Sequence, residues 1–198
     1  LLPEAIMTTY EDRDSMLEQL TEAFSWADTV AIGPGLGKSM KAKILVKRML
    51  KVTDKTVVID ADGINMLAEF IKEGECSIDS LGTNFILTPH IKEMSRIANK
   101  TTDVSYFVAA QAYCTVVLKD ARTVVGEGRD VEERKMYINM SGNNALATGG
   151  SGDVLSGIIA GIAAQDREKK PSLAAALGVY IHGLTAERYT ETKSRYSM

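Results

Sequence analysis

The sequence predicts an α/β protein, a three-layer sandwich built around a mostly parallel central sheet. Three observations predict it. Short apolar or β-branched runs alternate along the chain with stretches of helical period. Several of those runs are uninterrupted by polar residues, as strands covered on both faces are. A glycine-rich segment stands where the run Thr29–Ile32 passes into a helical stretch, and functional residues of parallel sheets collect just past the carboxyl ends of the strands.

The elements follow in order. Leu17, Leu20 and Phe24 share one face of a first helix. Strands are expected at Thr29–Ile32, Thr56–Ile59, Asn84–Leu87, Thr115–Leu118 and Thr123–Val125, with Lys135–Ile138 after a charged, hairpin-like link. Ile64, Leu67, Ala68 and Ile71 mark one helix, and a short helical stretch lies between Asn99 and Thr115. Val154, Leu155, Ile158, Ile159 and Ile162 mark a late helix, followed by another over SLAAALGVYIHGLTAE, in which His182 reads as structural. Gly157 and Gly161 each cost about 1 kcal/mol against Ala in a helix, so they are expected where those two helices pack closely. The runs DVEERK and REKK read as solvated loop ends.

Composition narrows the function. The 198 residues suit one domain, and 45% apolar content supports a substantial core. A net charge of −3 argues against nucleic-acid binding through a basic face. The longest nearly apolar stretch, GIIAGIAA, is too short to span a bilayer, so no membrane association is expected. Cys76 and Cys114 form no CxxC pair, and two histidines leave no zinc set. No signal segment opens the chain, and a cytoplasmic protein with inert thiols accounts for these features.

The first glycine loop, AIGPGLGKS, invites a P-loop reading. In the pattern G-x-x-x-x-G-K-[ST] the first glycine falls on Ile32, because Gly33 leaves the loop one residue short of Gly37-Lys38-Ser39. Pro34 also removes an N–H from a loop meant to cradle phosphate. A dinucleotide-binding fingerprint fails as well, since Lys38 stands where the last glycine belongs. The alternative is a plain strand-to-helix turn.

Polar residues gather at the other strand ends. In DADGIN, Asp60 and Asp62, with Asn65 beyond, stand where they either hold Mg²⁺ and shape a substrate site or cap the following helix. In TPHIKE, Pro89 fixes a bend, Thr88 can cap a helix and His90 lands on the rim of the sheet. In KDART, Lys119 leaves a buried strand into a polar turn, which reads as a nucleotide-contacting edge or as an ordinary β-turn.

The decisive stretch is NMSGNNALATGGSGDVLSGIIAGIAAQ. Its loop, Thr148–Asp153, runs directly into a helix. Glycines let backbone N–H groups converge on an anion, and the helix N-terminus adds about half a positive charge. Asp153 in the first turn can accept a proton from a substrate hydroxyl.

ATGGSGDVLSGIIAGIAAQ closely resembles the signature of the ribokinase-like superfamily, and more specifically of the ADP/ATP-dependent NAD(P)H-hydrate dehydratases. AIGPGLGKS, VIDADGIN, LTPHIKEMSRI, VVLKDARTVV and AAALGVYIHGL support this in order along nearly the whole chain. The resemblance implies that the chain restores NADH or NADPH from its hydrate, using ADP or ATP with Mg²⁺ carried on the nucleotide rather than in a protein-only metal site. Asp153 would be the catalytic base and touch the substrate. Gly35, Gly37 and His90 would line the hydrate site, and Asp60, Asp62 and Asn65 a substrate or Mg²⁺ site. Lys119, Asp120, Ala121, Arg122 and Thr123, with Gly150 and Gly152, would bind the adenine nucleotide. A homo-oligomer is implied, as is a fused or separate epimerase partner.

The chain also departs from the family pattern. Asp120-Ala121-Arg122 stands where relatives read GAG or GAR, and Asn143-Asn144-Ala145-Leu146 where they read NPGM. Relatives carry an N-terminal strand upstream of LLPEAIM and a helix beyond RYSM, so residues 1–198 are expected to be a single ribokinase-like domain lacking both family elements. An alcohol kinase of the same superfamily and a non-catalytic nucleotide-binding module are the competing functions.

Overall fold

The computed structural model describes residue 9 and residues 12–98, 113–127, 135–166, 168 and 170–192. The LLPEAIM and RYSM ends, most of the helical stretch after Asn99, most of DVEERK and part of REKK lie outside those residues. Six strands form one sheet in sequential order: β1 (Thr29–Ile32), β2 (Thr56–Ile59), β3 (Phe85–Leu87), β4 (Thr115–Leu118), β5 (Val124–Glu127) and β6 (Lys135–Ile138). β1 to β4 run parallel, with Thr29 opposite Thr56 and Ile32 opposite Ile59 in the first ladder. β5 and β6 add an antiparallel edge, because the turn from Lys119 to Thr123 is too short for the crossover a parallel strand needs.

The strands match the expected runs with two shifts. Asn84 stands outside β3, its side-chain amide donating to the carbonyls of Val52 at 3.0 Å and Lys55 at 2.8 Å. Thr123 precedes β5, which starts at Val124 and continues to Glu127; the Thr123 carbonyl accepts from Asn139 N–H at 2.9 Å.

Side-chain alternation splits the core between the two faces of the sheet. Val57, Ile59, Phe85, Leu87 and Val116 pack on one face with Ile64 and Leu67 of helix α3 (Ala61–Lys72) and with Met94 and Ile97 of α4 (Ile91–Ala98). Leu20 and Phe24 of α1 (Arg13–Trp26) lie against this cluster. Val58, Ile86, Val117 and Val125 face the other way, toward Leu155 and Ile159 of α5 (Ser151–Gln165) and Ala175 and Val179 of α6 (Pro171–Thr192). α2 (Met40–Met49) packs Ala42 and Val46 on Met66 and Phe70 of α3. The result is the expected three-layer sandwich.

Glycine packing differs from expectation. A Cβ at Gly157 or Gly161 meets nothing within 4 Å, so neither marks the α5–α6 contact. Gly178 does: a Cβ there would stand 2.7 Å from Cγ1 of Ile159. Val154 also turns outward, 56% exposed, one residue before the buried stripe of Leu155 and Ile159. His182 is half-buried, and burial pushes its imidazole below the ordinary value.

Candidate active site

Asp60 is the hub of the strand-end rim. It follows β2, is 1% exposed, and its side chain caps α3 by accepting from Ala61 N–H at 2.8 Å. The same oxygen takes Lys119 Nζ at 2.8 Å. The other oxygen accepts from the Ser156 hydroxyl, which also lies 3.0 Å from the Gly152 carbonyl. A buried carboxylate is tolerable only when it is paired and hydrogen-bonded, and here both oxygens are. The sharp exit from β2 shows in the backbone. Ala61 adopts φ +46°, a left-handed conformation that costs a non-glycine residue about 1–2 kcal/mol.

The first glycine loop closes against this hub. Gly33, at φ +127°, has no room for a side chain: a Cβ would fall 1.8 Å from the Asp60 carbonyl oxygen. Gly35 and Gly37 hold φ +63° and +69°, and Gly37 N–H donates to Asp62 Oδ2 at 2.9 Å. Ser39 caps α2 by accepting from Ala42 N–H at 3.1 Å, a capping role unlike that of a P-loop serine, which would sit on Mg²⁺.

The second glycine loop arrives from the other side. Gly150 is left-handed at φ +85° and forms the N-cap of α5 without a side-chain cap. Gly152, one residue into the helix, lies so near Lys119 that a Cβ would stand 3.3 Å from Nζ. The side chain of Lys119 is 20% exposed, and its ammonium lies beside the first turn of α5. Asp153 follows, exposed, on that same turn. An unblocked helix N-terminus with a fixed cation beside it suits a phosphoryl group.

His90 pairs with Lys119 in an isolated parallel bridge at the end of β3, so the two strand ends meet on the rim. Its ring also starts α4. His90 N–H donates to Glu93 Oε2 at 2.9 Å, and Glu93 N–H donates to His90 Nδ1 at 3.2 Å. This is a reciprocal capping box, and it places the cap on His90 rather than Thr88, whose hydroxyl reaches the Ile59 carbonyl instead. With Nδ1 accepting, Nε2 carries the proton of the neutral ring. Asn65 accepts from Arg96 Nη1 at 2.6 Å. Asp120, Ala121 and Arg122 form the exposed β4–β5 turn, from which Arg122 reaches the Met140 carbonyl at 2.9 Å.

The residues singled out from sequence therefore occupy one rim, with protein partners for Asp60, Asp62 and Asn65. Among the described residues no three His, Cys, Asp or Glu side chains converge as a metal-binding group. Sequence reading missed Ser156 and Glu93. Ser156 interrupts an apolar face one helical turn after Gly152, and Glu93 completes the x-x-Glu spacing of a capping box after His90.

The fold and this rim define a ribokinase-like α/β protein. It is similar to a ribokinase-like superfamily protein of Enterococcus faecalis V583, with TM-score 0.74 and 29% identity over 89% of this chain and 61% of that one. It is likewise similar to the ADP/ATP-dependent NAD(P)H-hydrate dehydratase of Bacillus subtilis co-crystallized with ATP/Mg²⁺, with TM-score 0.63 and 28% identity over 86% of this chain and 59% of that one. The family model for NAD(P)H-hydrate dehydratase matches residues 1–198, and the chain belongs to that family. It is 36% identical over 193 residues to the bifunctional NAD(P)H-hydrate repair enzyme Nnr of Moorella thermoacetica, which covers 93% of this chain and 34% of that protein. The chain thus spans about a third of the length of this curated relative.

Proposed function

We propose that the chain performs the nucleotide-dependent dehydration of hydrated NADH and NADPH. The observation that carries the reading is the Lys119 ammonium, fixed by Asp60 against Gly152 at the first turn of α5. Gly150 and Gly152, with Lys119, fit a nucleotide's phosphates, and the turn through Asp120, Ala121, Arg122 and Thr123 stands beside them for the nucleoside end. Mg²⁺ on those phosphates would neutralise their charge. Gly35, Gly37 and His90 border the hydrated ring.

Hydroxide is a poor leaving group, so the ring hydroxyl must first be converted to a better one. Asp153 takes the hydroxyl proton as that oxygen bonds to the terminal phosphorus and the bond to the rest of the nucleotide breaks. N–H groups of the α5 first turn and the Lys119 ammonium stabilise the charge on the transferring phosphoryl oxygens. The ring nitrogen lone pair then expels phosphate. Loss of a proton from the neighbouring ring carbon restores the double bond.

The bifunctional name of the Moorella thermoacetica relative supports an epimerase as fused or separate partner, and light scattering tests the homo-oligomer we expect. A cytoplasmic setting is our expectation; Cys76 is half-buried and Cys114 buried, and among the described residues no helix is long and apolar enough to cross a membrane. Incubation with hydrated NADH and either ADP or ATP, with Mg²⁺, decides the chemistry. Return of NADH absorbance with phosphate release is the expected result. A stable phosphoester without absorbance would mean an alcohol kinase, and nucleotide binding with no turnover would mean a non-catalytic module.

A further inference from the structure

A groove of about 490 Å³ opens beside the rim, between the first glycine loop, α3 and α4. Its size falls within the range of roughly 300–1,000 Å³ of small-molecule sites. Its polar lining residues are Lys38, Asn65, Glu69, Lys72, Ser95 and Arg96. Three of the six are cations and one is an anion. That anion, Glu69, is held by Lys43 at 2.6 Å, and this ion pair keeps its carboxyl below the usual range. The groove is therefore locally positive on a chain whose net charge is −3. Asn65, Glu69 and Lys72 recur at helical spacing along one face of α3, and the three cations reach the groove from three elements: Lys38 from the first glycine loop, Lys72 from α3 and Arg96 from α4. Arg96 is oriented by its 2.6 Å bond to Asn65, and a guanidinium presents several donors in one plane.

Lys38 directly follows Gly37, and Arg96 lies on α4 beyond His90. The groove thus continues from the two positions assigned to the hydrated ring. We propose that it binds the phosphate-bearing part of the nicotinamide dinucleotide, with Lys38, Lys72 and Arg96 holding its diphosphate and, in the 2′-phosphorylated form, the additional phosphate. This rests on the reading that Gly37 and His90 border the hydrated ring. It assigns the two glycine-rich ends of the rim to different anions: nucleotide phosphates at Gly150–Gly152, dinucleotide phosphates along α3.

Titration of the full chain with NADP⁺, and separately with ADP and Mg²⁺, tests it by calorimetry. The triple variant Lys38→Gln, Lys72→Gln, Arg96→Gln should weaken NADP⁺ binding at least about tenfold and reduce its salt dependence, with ADP affinity changing less than about twofold. Glu69→Gln removes the one anion among the described lining residues and should tighten NADP⁺. Unchanged NADP⁺ affinity in the triple variant overturns the proposal, and an acidic protein partner as occupant would give that result. Equal loss of NADP⁺ and ADP overturns it too, as does weaker NADP⁺ binding in Glu69→Gln. If the wild-type chain does not regenerate NADH yet the triple variant still loses NADP⁺ selectively, the groove stands and only the dehydration chemistry fails.

Discussion

Asp153 and Ala61 are the residues at which local chemistry is most exposed to test. Asp153 stands in the first turn of α5, where the helix dipole favours an anion, and general-base catalysis contributes about 10²–10⁴ in rate. Asp153→Asn should therefore lower turnover by at least about a hundredfold. It should leave ADP affinity within a few fold, or tighten it, because a negative charge near phosphate is removed; turnover and calorimetry read the two effects. Ala61 tests the strained turn. A glycine in an ordinary helix interior costs about 1 kcal/mol against Ala, but at φ +46° it also releases left-handed strain of about 1–2 kcal/mol. Ala61→Gly should leave the unfolding free energy level or raise it by up to about 1 kcal/mol. A loss of the ordinary helix-interior size would show that the turn carries no strain.

At the scale of elements, α5 and α6 contain glycines of opposite meaning. Gly157 is exposed with open space around it, so Gly157→Ala should stabilise the protein by up to about 1 kcal/mol through helix propensity alone. Gly178 lies against Ile159, and Gly178→Ala should destabilise by about 1–3 kcal/mol through overpacking. Urea midpoints of the two variants moving in opposite directions would confirm the pair; equal shifts would place the α5–α6 contact elsewhere. The helical period of both elements was legible in sequence because it repeats over neighbouring residues. Which glycine faces the partner helix was not, since that depends on how each helix is rotated against the other.

The whole molecule adds a pH dependence. Burial disfavours the charged form of His182, so its folded value lies below the ordinary 6.5. The unfolded chain then binds more protons as pH falls below 6.5. The resulting stability is full above 6.5 and is lost as pH drops from there through the folded value. Urea midpoints measured from about pH 7.5 to 5.5, above most carboxylate titration, should fall toward acid in the wild type. His182→Gln should flatten that slope; an unchanged slope would assign it to other groups. His182 was placed within a packed helix from sequence, but its degree of burial follows from how α6 lies on the sheet.

By itself the sequence determined the strand runs, their mostly parallel class, the two glycine loops and the family, because each is written in contiguous residues. Period, β-branching and loop spacing need no knowledge of the rest of the chain. Only the tertiary structure decided what Asp60 does. Its carboxylate meets Lys119, 59 residues away, and Ser156, 96 residues away, since β2, β4 and α5 end on one rim. That pairing makes Asp60 the counter-ion that fixes Lys119 as well as the cap of α3. It also decided that Gly33 lies against the Asp60 carbonyl and that His90 caps α4 while standing beside Lys119. Those partners are set by strand order and helix packing, which bring distant residues within hydrogen-bond reach, and no local pattern encodes that distance.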